Sequence, residues 1–319
     1  MLHNEYSCIS RVQTLPSRLV VDIGEWTVGD IASMGKRGAN SHDQMLARCK
    51  VVSDEDGVYK WKANQPVVPE KLQTGDRSVA IIMQRIISHW RACGPFFDFS
   101  FHCDDEDCRD AVPKAIPWTV DLRRFLLTEQ DLAAEELESI EHLEDASDRP
   151  VYLPGGKEIV WVDRFGDMPI VIGNADGVDK TAFLQMLSDE ALQCWLNGNR
   201  FEYFDPITEK NLIWKIMIGE DEAELQKYRK SADKFRLNAL GRRIVEVDGV
   251  QAYMKPSWIN GWFAGAEDML QQHINDVEPG MFREFDVRCP RCGLVQGIAF
   301  PLDMSFFSPS SRRKKPGRN

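Results

Sequence analysis

The chain of 319 residues has no run approaching the roughly 18 consecutive apolar residues of a membrane helix. Its opening segment, Met1 to Gln13, lacks the apolar stretch of a secretory signal. Eight cysteines are too few for a disulfide-built scaffold, and 16 prolines with 22 glycines are too few for a fibrous or low-complexity chain. Basic excess is also missing: 39 Lys and Arg stand against 50 Asp and Glu, a net charge of −11. That balance argues against a non-specific nucleic-acid binder, which needs a broad cationic surface to displace counterions. Catalytic templates are absent too. There is no G-x-S-x-G, H-E-x-x-H, phosphate loop or G-x-G-x-x-G, and none of the six histidines has another four residues away.

What remains is a chain with 43% hydrophobic and 28% charged residues, enough for roughly two domains with cores of their own. A soluble protein of a reducing cytoplasm is expected, in which paired cysteines read first as metal ligands. The first hundred residues predict a small α/β unit. It has a strand over Leu19 to Ile23, a helix opened by Ser41 and running toward Cys49, and a short strand over Val58 to Trp61. A longer helix follows over Ser78 to Trp90, with Val79, Ile82, Met83, Ile86, Ile87 and Trp90 on one stripe. Gly94-Pro95 ends it.

Downstream, Phe97 to Cys103 alternates strictly and finds a partner strand in Ile116 to Leu122. Nine acidic residues and no Lys or Arg lie between Glu129 and Asp148, a solvated face or a docking surface. A turn at Tyr152 to Lys157 leads into a strand, Glu158 to Asp163. Gly173 to Asp179 fails the calcium-loop template and reads as a turn, with Asp179 capping a helix from Lys180 to Leu196. Asp205-Pro206 is expected to open another helix, with Leu212, Ile213, Ile216 and Met217 on its apolar side. A charged helix follows from Asp221 to Ala239, closed by Gly241. Asp248-Gly249 makes a type I′ hairpin of Ile244 to Tyr253. Ser257 to Val277 is the last helix, with Trp258 and Trp262 on one face.

The sharpest signal is Cys289-Pro290-Arg291-Cys292-Gly293. Two cysteines two residues apart, with Gly after them, form a knuckle whose tight turn aims both thiolates at one cation. A closed zinc site needs four ligands, and Cys103 with Cys108 supplies the second pair. Each pair is entered by an alternating strand and left by another ending apolar-Asp-apolar, Val120-Asp121-Leu122 and Leu302-Asp303-Met304. The halves read as a split zinc ribbon around an insertion of about 155 residues. One structural zinc per chain is therefore expected on Cys103, Cys108, Cys289 and Cys292. A redox pair, an iron–sulfur cluster, two disulfides, and His102 in place of one thiol are the rival readings. A redox pair should begin a helix, whereas Gly293 to Gln296 begins a strand. Cys8, Cys49, Cys93 and Cys194 are isolated and read as small buried residues. Such a four-thiolate site is closed to water and substrate, so no catalytic residue is expected.

With these motifs in order, the chain resembles the baseplate hub-assembly proteins of tailed phages with T-even-type contractile tails. The resemblance is carried by the first cysteine pair with its strand ending at Val120-Asp121-Leu122, and by Leu153-Pro154-Gly155-Gly156-Lys157 before a strand. The terminal Cys289 to Gly293 and the Phe306-Phe307 pair complete it. It covers residues 96 to 308. The first pair here is C-x4-C rather than C-x-x-C, and the N-terminal hundred residues lie outside the likeness. It implies a virion or assembly role in the host cytoplasm with other baseplate or tail proteins as partners, and no substrate or catalytic residues, while the charge balance and the lack of long apolar runs argue against nucleic acid and membrane insertion. The rival classes are a zinc-ribbon nucleic-acid regulator, using the five basic residues between Arg312 and Arg318, and an enzyme with its site in the insertion.

The expected fold is thus α+β. It has an N-terminal α/β region (1–95), a first half-ribbon (96–124), a mainly helical insertion (125–280), a second half-ribbon (281–308) and a basic tail (309–319).

Overall fold

A computed structural model describes residues 9–27, 29–30, 41–111, 115–128, 151–152, 158–159, 162–165, 168–171, 173–174, 177–178, 184–251, 264–281, 284–289, 291–299 and 306. The acidic 129–148 segment, Asp179, Trp258, Trp262 and the basic tail lie outside them.

The fold is mixed helix and sheet, in keeping with the α+β expectation. In the N-terminal region β1 (Val12–Thr14), β2 (Val20–Asp22) and β3 (Lys50–Ser53) form an antiparallel sheet, with α1 (Ser41–Leu46) between the last two strands. The strand expected over Val58 to Trp61 is irregular backbone instead. Lys60 takes φ +58°, a left-handed conformation that breaks a pleat. Helix α2 (Thr74–Cys93) is longer than its apolar stripe and ends at Gly94, φ +64°. Ala80, Ile81, Gln84 and Arg85 are buried along with Val79, Ile82, Met83 and Ile86, so this helix is enclosed on most sides. Gln84 fits there because its side-chain N–H groups donate to the carbonyls of Gly24 and Met45, both at 2.9 Å.

Strands β4 (Phe96–Phe101) and β5 (Ile116–Asp121) pair antiparallel from Phe96↔Asp121 to Phe101↔Ile116, and α3 (Glu106–Ala111) lies between them in sequence. Small hairpins follow: β6 (Val151–Tyr152) with β7 (Glu158–Ile159), β8 (Val162–Phe165) with β9 (Met168–Val171), and β10 (Gly173–Asn174) with β11 (Gly177–Val178).

The region expected to be mainly helical carries a sheet as its centre. After β12 (Leu184–Gln185) comes α4 (Asp189–Leu196), nine residues later than expected. Its cap is Ser188, which accepts from the amide of Ala191 at 3.1 Å. The segment before it is extended because β12 pairs with a distant strand. The helix expected from Asp205-Pro206 is absent as well. Those residues form the turn between β13 (Phe201–Asp205) and β14 (Lys210–Trp214), where Asp205 accepts from the Ile207 amide at 3.0 Å and from the Thr208 hydroxyl. The charged helix divides into α5 (Gly219–Leu225) and α6 (Ala232–Arg243), with Gly241 buried inside α6 rather than closing it. Strands β15 (Ile244–Val247) and β16 (Val250–Gln251) complete the sheet β13-β14-β15-β16, and their turn has Asp248 at φ +48° and Gly249 at φ +79°. Helix α7 (Ala264–Val277) leads to β17 (Gly280–Met281), the partner of β12. Last, β18 (Glu284–Arg288) and β19 (Val295–Ala299) pair from Glu284↔Ala299 to Arg288↔Val295.

Two apolar cores result. The first joins β2, β3, α1 and α2 with Phe97, Phe101, Trp118, Val287 and Phe306. The N-terminal region and both cysteine hairpins thus share one interior. The second packs Phe201, Leu212, Trp214, Leu240 and Ile244 against Leu192, Leu270 and Ile274. Tyr59 touches both cores, and next to it the indole N–H of Trp195 donates to the Val58 carbonyl at 2.7 Å. Arg18 crosses the same seam, donating twice to the carbonyl of Leu187 at 2.9 and 2.7 Å.

Candidate metal centre

Each cysteine pair sits at the end of a hairpin. Cys103 follows β4 by two residues, and Cys108 lies in α3, whose entry is fixed by Asp105 accepting from the Cys108 amide at 2.7 Å. Cys289 and Cys292 occupy the turn between β18 and β19. That turn is closed by Cys289 N–H donating to Leu294 at 2.8 Å and Gly293 N–H donating to Cys289 at 2.9 Å. Gly293 has φ +79°, the backbone state that favours glycine after the second thiol.

The four sulfurs meet. All lie within 4.8 Å of one another, with Cys103 Sγ 3.5 Å from Cys292 Sγ and Cys108 Sγ 3.9 Å from Cys289 Sγ. Sulfurs bound tetrahedrally at ~2.3 Å from one ion stand ~3.8 Å apart, so the set has the size of a single-ion cage. The thiols are free, not disulfides. Cys103 and Cys289 are buried, Cys108 is half-buried and Cys292 is exposed. His102 is exposed and is not one of the converging ligands.

Electrostatics around the sulfurs are uneven. Burial pushes the Cys289 thiol up, but the amides of Cys292 and Arg291, with thiols of Cys103 and Cys292, bring it down to about 7. Amide donors aimed at sulfur are what stabilise a thiolate beside a cation. Burial and the other three sulfurs raise Cys108 to about 12. Burial also raises Cys103, partly offset by the Asp105 amide. Cys289 thus ionises ahead of Cys103 and Cys108, and a divalent cation would favour loss of the remaining protons.

The clasp between the hairpins was not visible in the sequence. Gln296, on β19 and 9% exposed, accepts from the Asp104 amide and donates to the His102 carbonyl, both at 2.9 Å. It holds the backbone on both sides of Cys103. Phe101 and Trp118, ring centroids 5.8 Å apart, pack in the same core as Cys103 and Cys289. Of the isolated cysteines, Cys49 is buried and its thiol is pushed up to about 11 by that burial, while Cys194 is half-buried. Cys8 and the side chain of Cys93 lie outside the described residues.

Comparison of the chain with protein-family models, with curated proteins and with solved structures found no match. The site's chemistry therefore rests on its own geometry.

Proposed function

We propose that Cys103, Cys108, Cys289 and Cys292 bind one structural zinc ion per chain, completing a split zinc ribbon in a non-enzymatic architectural protein. The observation that carries this reading is the convergence of four sulfurs within 4.8 Å from hairpins some 180 residues apart. Zinc suits an all-thiolate tetrahedral cage, and four protein ligands leave no position for water or substrate. Structural zinc contributes on the order of 10–16 kcal/mol of apparent binding free energy, comparable with the stability of a whole domain. Metal analysis of the purified chain should find one zinc, lost on Cys289→Ser; a chain that folds without metal overturns the reading.

The wider role we propose is a component of a phage contractile-tail baseplate, in the virion or its assembly intermediates, bound to other baseplate subunits. Its support is the order of motifs in the sequence, from the first cysteine pair through the Leu153 to Lys157 turn to Cys289 to Gly293. Mass spectrometry of purified tails and tail-assembly intermediates tests it. Absence from both would sink this role while leaving the zinc centre standing.

A further inference from the structure

The four sulfurs of the cage differ in how water reaches them. Cys103 and Cys289 are buried and Cys108 is half-buried, while Cys292 alone of the four is exposed. A small oxidant arriving from solvent therefore meets Cys292 first. The short sulfur contacts within the cage run between hairpins, Cys103 Sγ to Cys292 Sγ at 3.5 Å and Cys108 Sγ to Cys289 Sγ at 3.9 Å. Sulfurs joined in a disulfide stand ~2.05 Å apart, so Cys103 and Cys292 need to close by only ~1.5 Å.

Two features keep that pair together without help from an ion. Gln296 on β19 holds the backbone on both sides of Cys103 through the His102 carbonyl and the Asp104 amide. Phe101 and Trp118 of one hairpin share a core with Val287 and Cys289 of the other, so the two hairpins stay adjacent if the ion departs.

From this arrangement we infer that the cluster is a peroxide-responsive switch, in which a Cys103–Cys292 disulfide takes over from zinc as the link between the hairpins. The inference rests on the zinc reading for the ion it expels, and adds regulation to that site. The exposed Cys292 thiolate attacks one oxygen of hydrogen peroxide, the O–O bond breaks, and a sulfenic acid and a hydroxide result. The Cys103 thiolate then attacks the sulfenic sulfur; an S–S bond forms, the S–O bond breaks and a second hydroxide leaves. The two thiolates lose two electrons, the peroxide gains them, and two protons from solvent convert the hydroxides to water. Zinc keeps Cys108 and Cys289 alone, half of a closed four-ligand set, and is released. The new bond spans 189 residues of sequence, so the staple survives oxidation. A Cys289–Cys292 disulfide would instead stay within one hairpin and leave the other untied.

Titration of the zinc-loaded full chain with hydrogen peroxide tests the inference, read with a chromogenic zinc chelator and by non-reducing peptide mapping in a mass spectrometer. The expected result is loss of two thiols, release of the zinc and a peptide pair joined through Cys103 and Cys292, all reversed by dithiothreitol with added zinc. Cys292→Ser should abolish the cross-link, and Cys194→Ser, outside the cage, should leave it intact. Should Cys292→Ser fail to fold, brief iodoacetamide treatment of the wild-type chain should label Cys292 about tenfold faster than the other three cage thiols. The peptide map can be read with or without metal, so a chain isolated without zinc sinks the zinc reading while the cross-link is still judged on its own. A Cys289–Cys292 disulfide as the main product, oxidation with no bond between the hairpins, or faster labelling of another cage thiol overturns the inference.

Discussion

The side-chain amide of Gln296 donates to the His102 carbonyl at 2.9 Å, across 194 residues of sequence, while its oxygen accepts from Asp104. This one residue fixes the backbone on both sides of Cys103, one of the four clustered cysteines. Gln296→Ala would leave a carbonyl and an amide unpaired, at a cost of about 1–3 kcal/mol. Because the clasp orients Cys103, zinc affinity measured by chelator competition should fall about 10–100-fold, with the stoichiometry unchanged.

Removing the metal tests the centre as a staple. Prolonged chelation, or Cys289→Ser, should destabilise the chain by at least ~5 kcal/mol. For a protein of this size that lowers the melting temperature by ~10–20 °C in calorimetry. A melting curve unmoved by chelation would contradict a stabilising metal.

Asp76 predicts a pH dependence unrelated to the cysteines. It is fully buried, accepting from the Ser17 amide at 2.8 Å and from the Tyr59 hydroxyl at 2.6 Å. Burial raises it to about 6, above the ordinary 3.8, although the hydrogen bonds from Ser17 and Tyr59 pull the other way. The folded state therefore binds this proton more tightly than the unfolded chain. Its contribution is fully present below about pH 3.8 and is lost as pH rises through about 6, a change on the order of 2–3 kcal/mol. Asp76→Asn, which mimics the protonated form, should flatten that part of the stability profile in denaturant titrations at pH 4 to 7.

Gly75 and Gly219 should resist the usual helix-stabilising exchange. In an exposed helix Gly→Ala gains about 1 kcal/mol. A Cβ would meet the Pro279 carbonyl oxygen at 2.0 Å at Gly75, and the Pro69 carbonyl oxygen at 2.4 Å at Gly219. Either alanine should therefore destabilise the chain by ~2 kcal/mol or more in chemical unfolding.

Local signals with a single physical meaning were legible in the sequence. The alternation of Phe97 to Phe101 and the Asp248-Gly249 turn each admit one backbone solution, and the strand pattern after Gly293 separates the Cys289 to Cys292 turn from a helix start. Signals with two meanings misled. Asp205-Pro206 serves a helix start or a turn equally well, and Leu212, Ile213, Ile216 and Met217 fit a helical stripe. The buried alternation of Leu212, Trp214 and Ile216 was the competing pattern, and pairing with β13 and β15 decides for it. Partners far apart in sequence left no local trace at all. Gln296 looks like any polar strand residue until β19 lies beside Cys103. Ser188 becomes the cap of α4 because β17 holds the preceding residues extended.

The 181 residues separating Cys108 from Cys289 set an order of events in the cell. A ribosome adding about 5–20 residues per second needs ~10–40 s between exposing the first thiols and supplying the last. Throughout that interval half a cage stands open, and the interior that Cys103 and Cys289 share with the N-terminal strands lacks its closing side. Closure of the N-terminal interior thus waits for a hairpin made long after it, and on the proposed reading zinc is taken up only once Cys292 has been supplied.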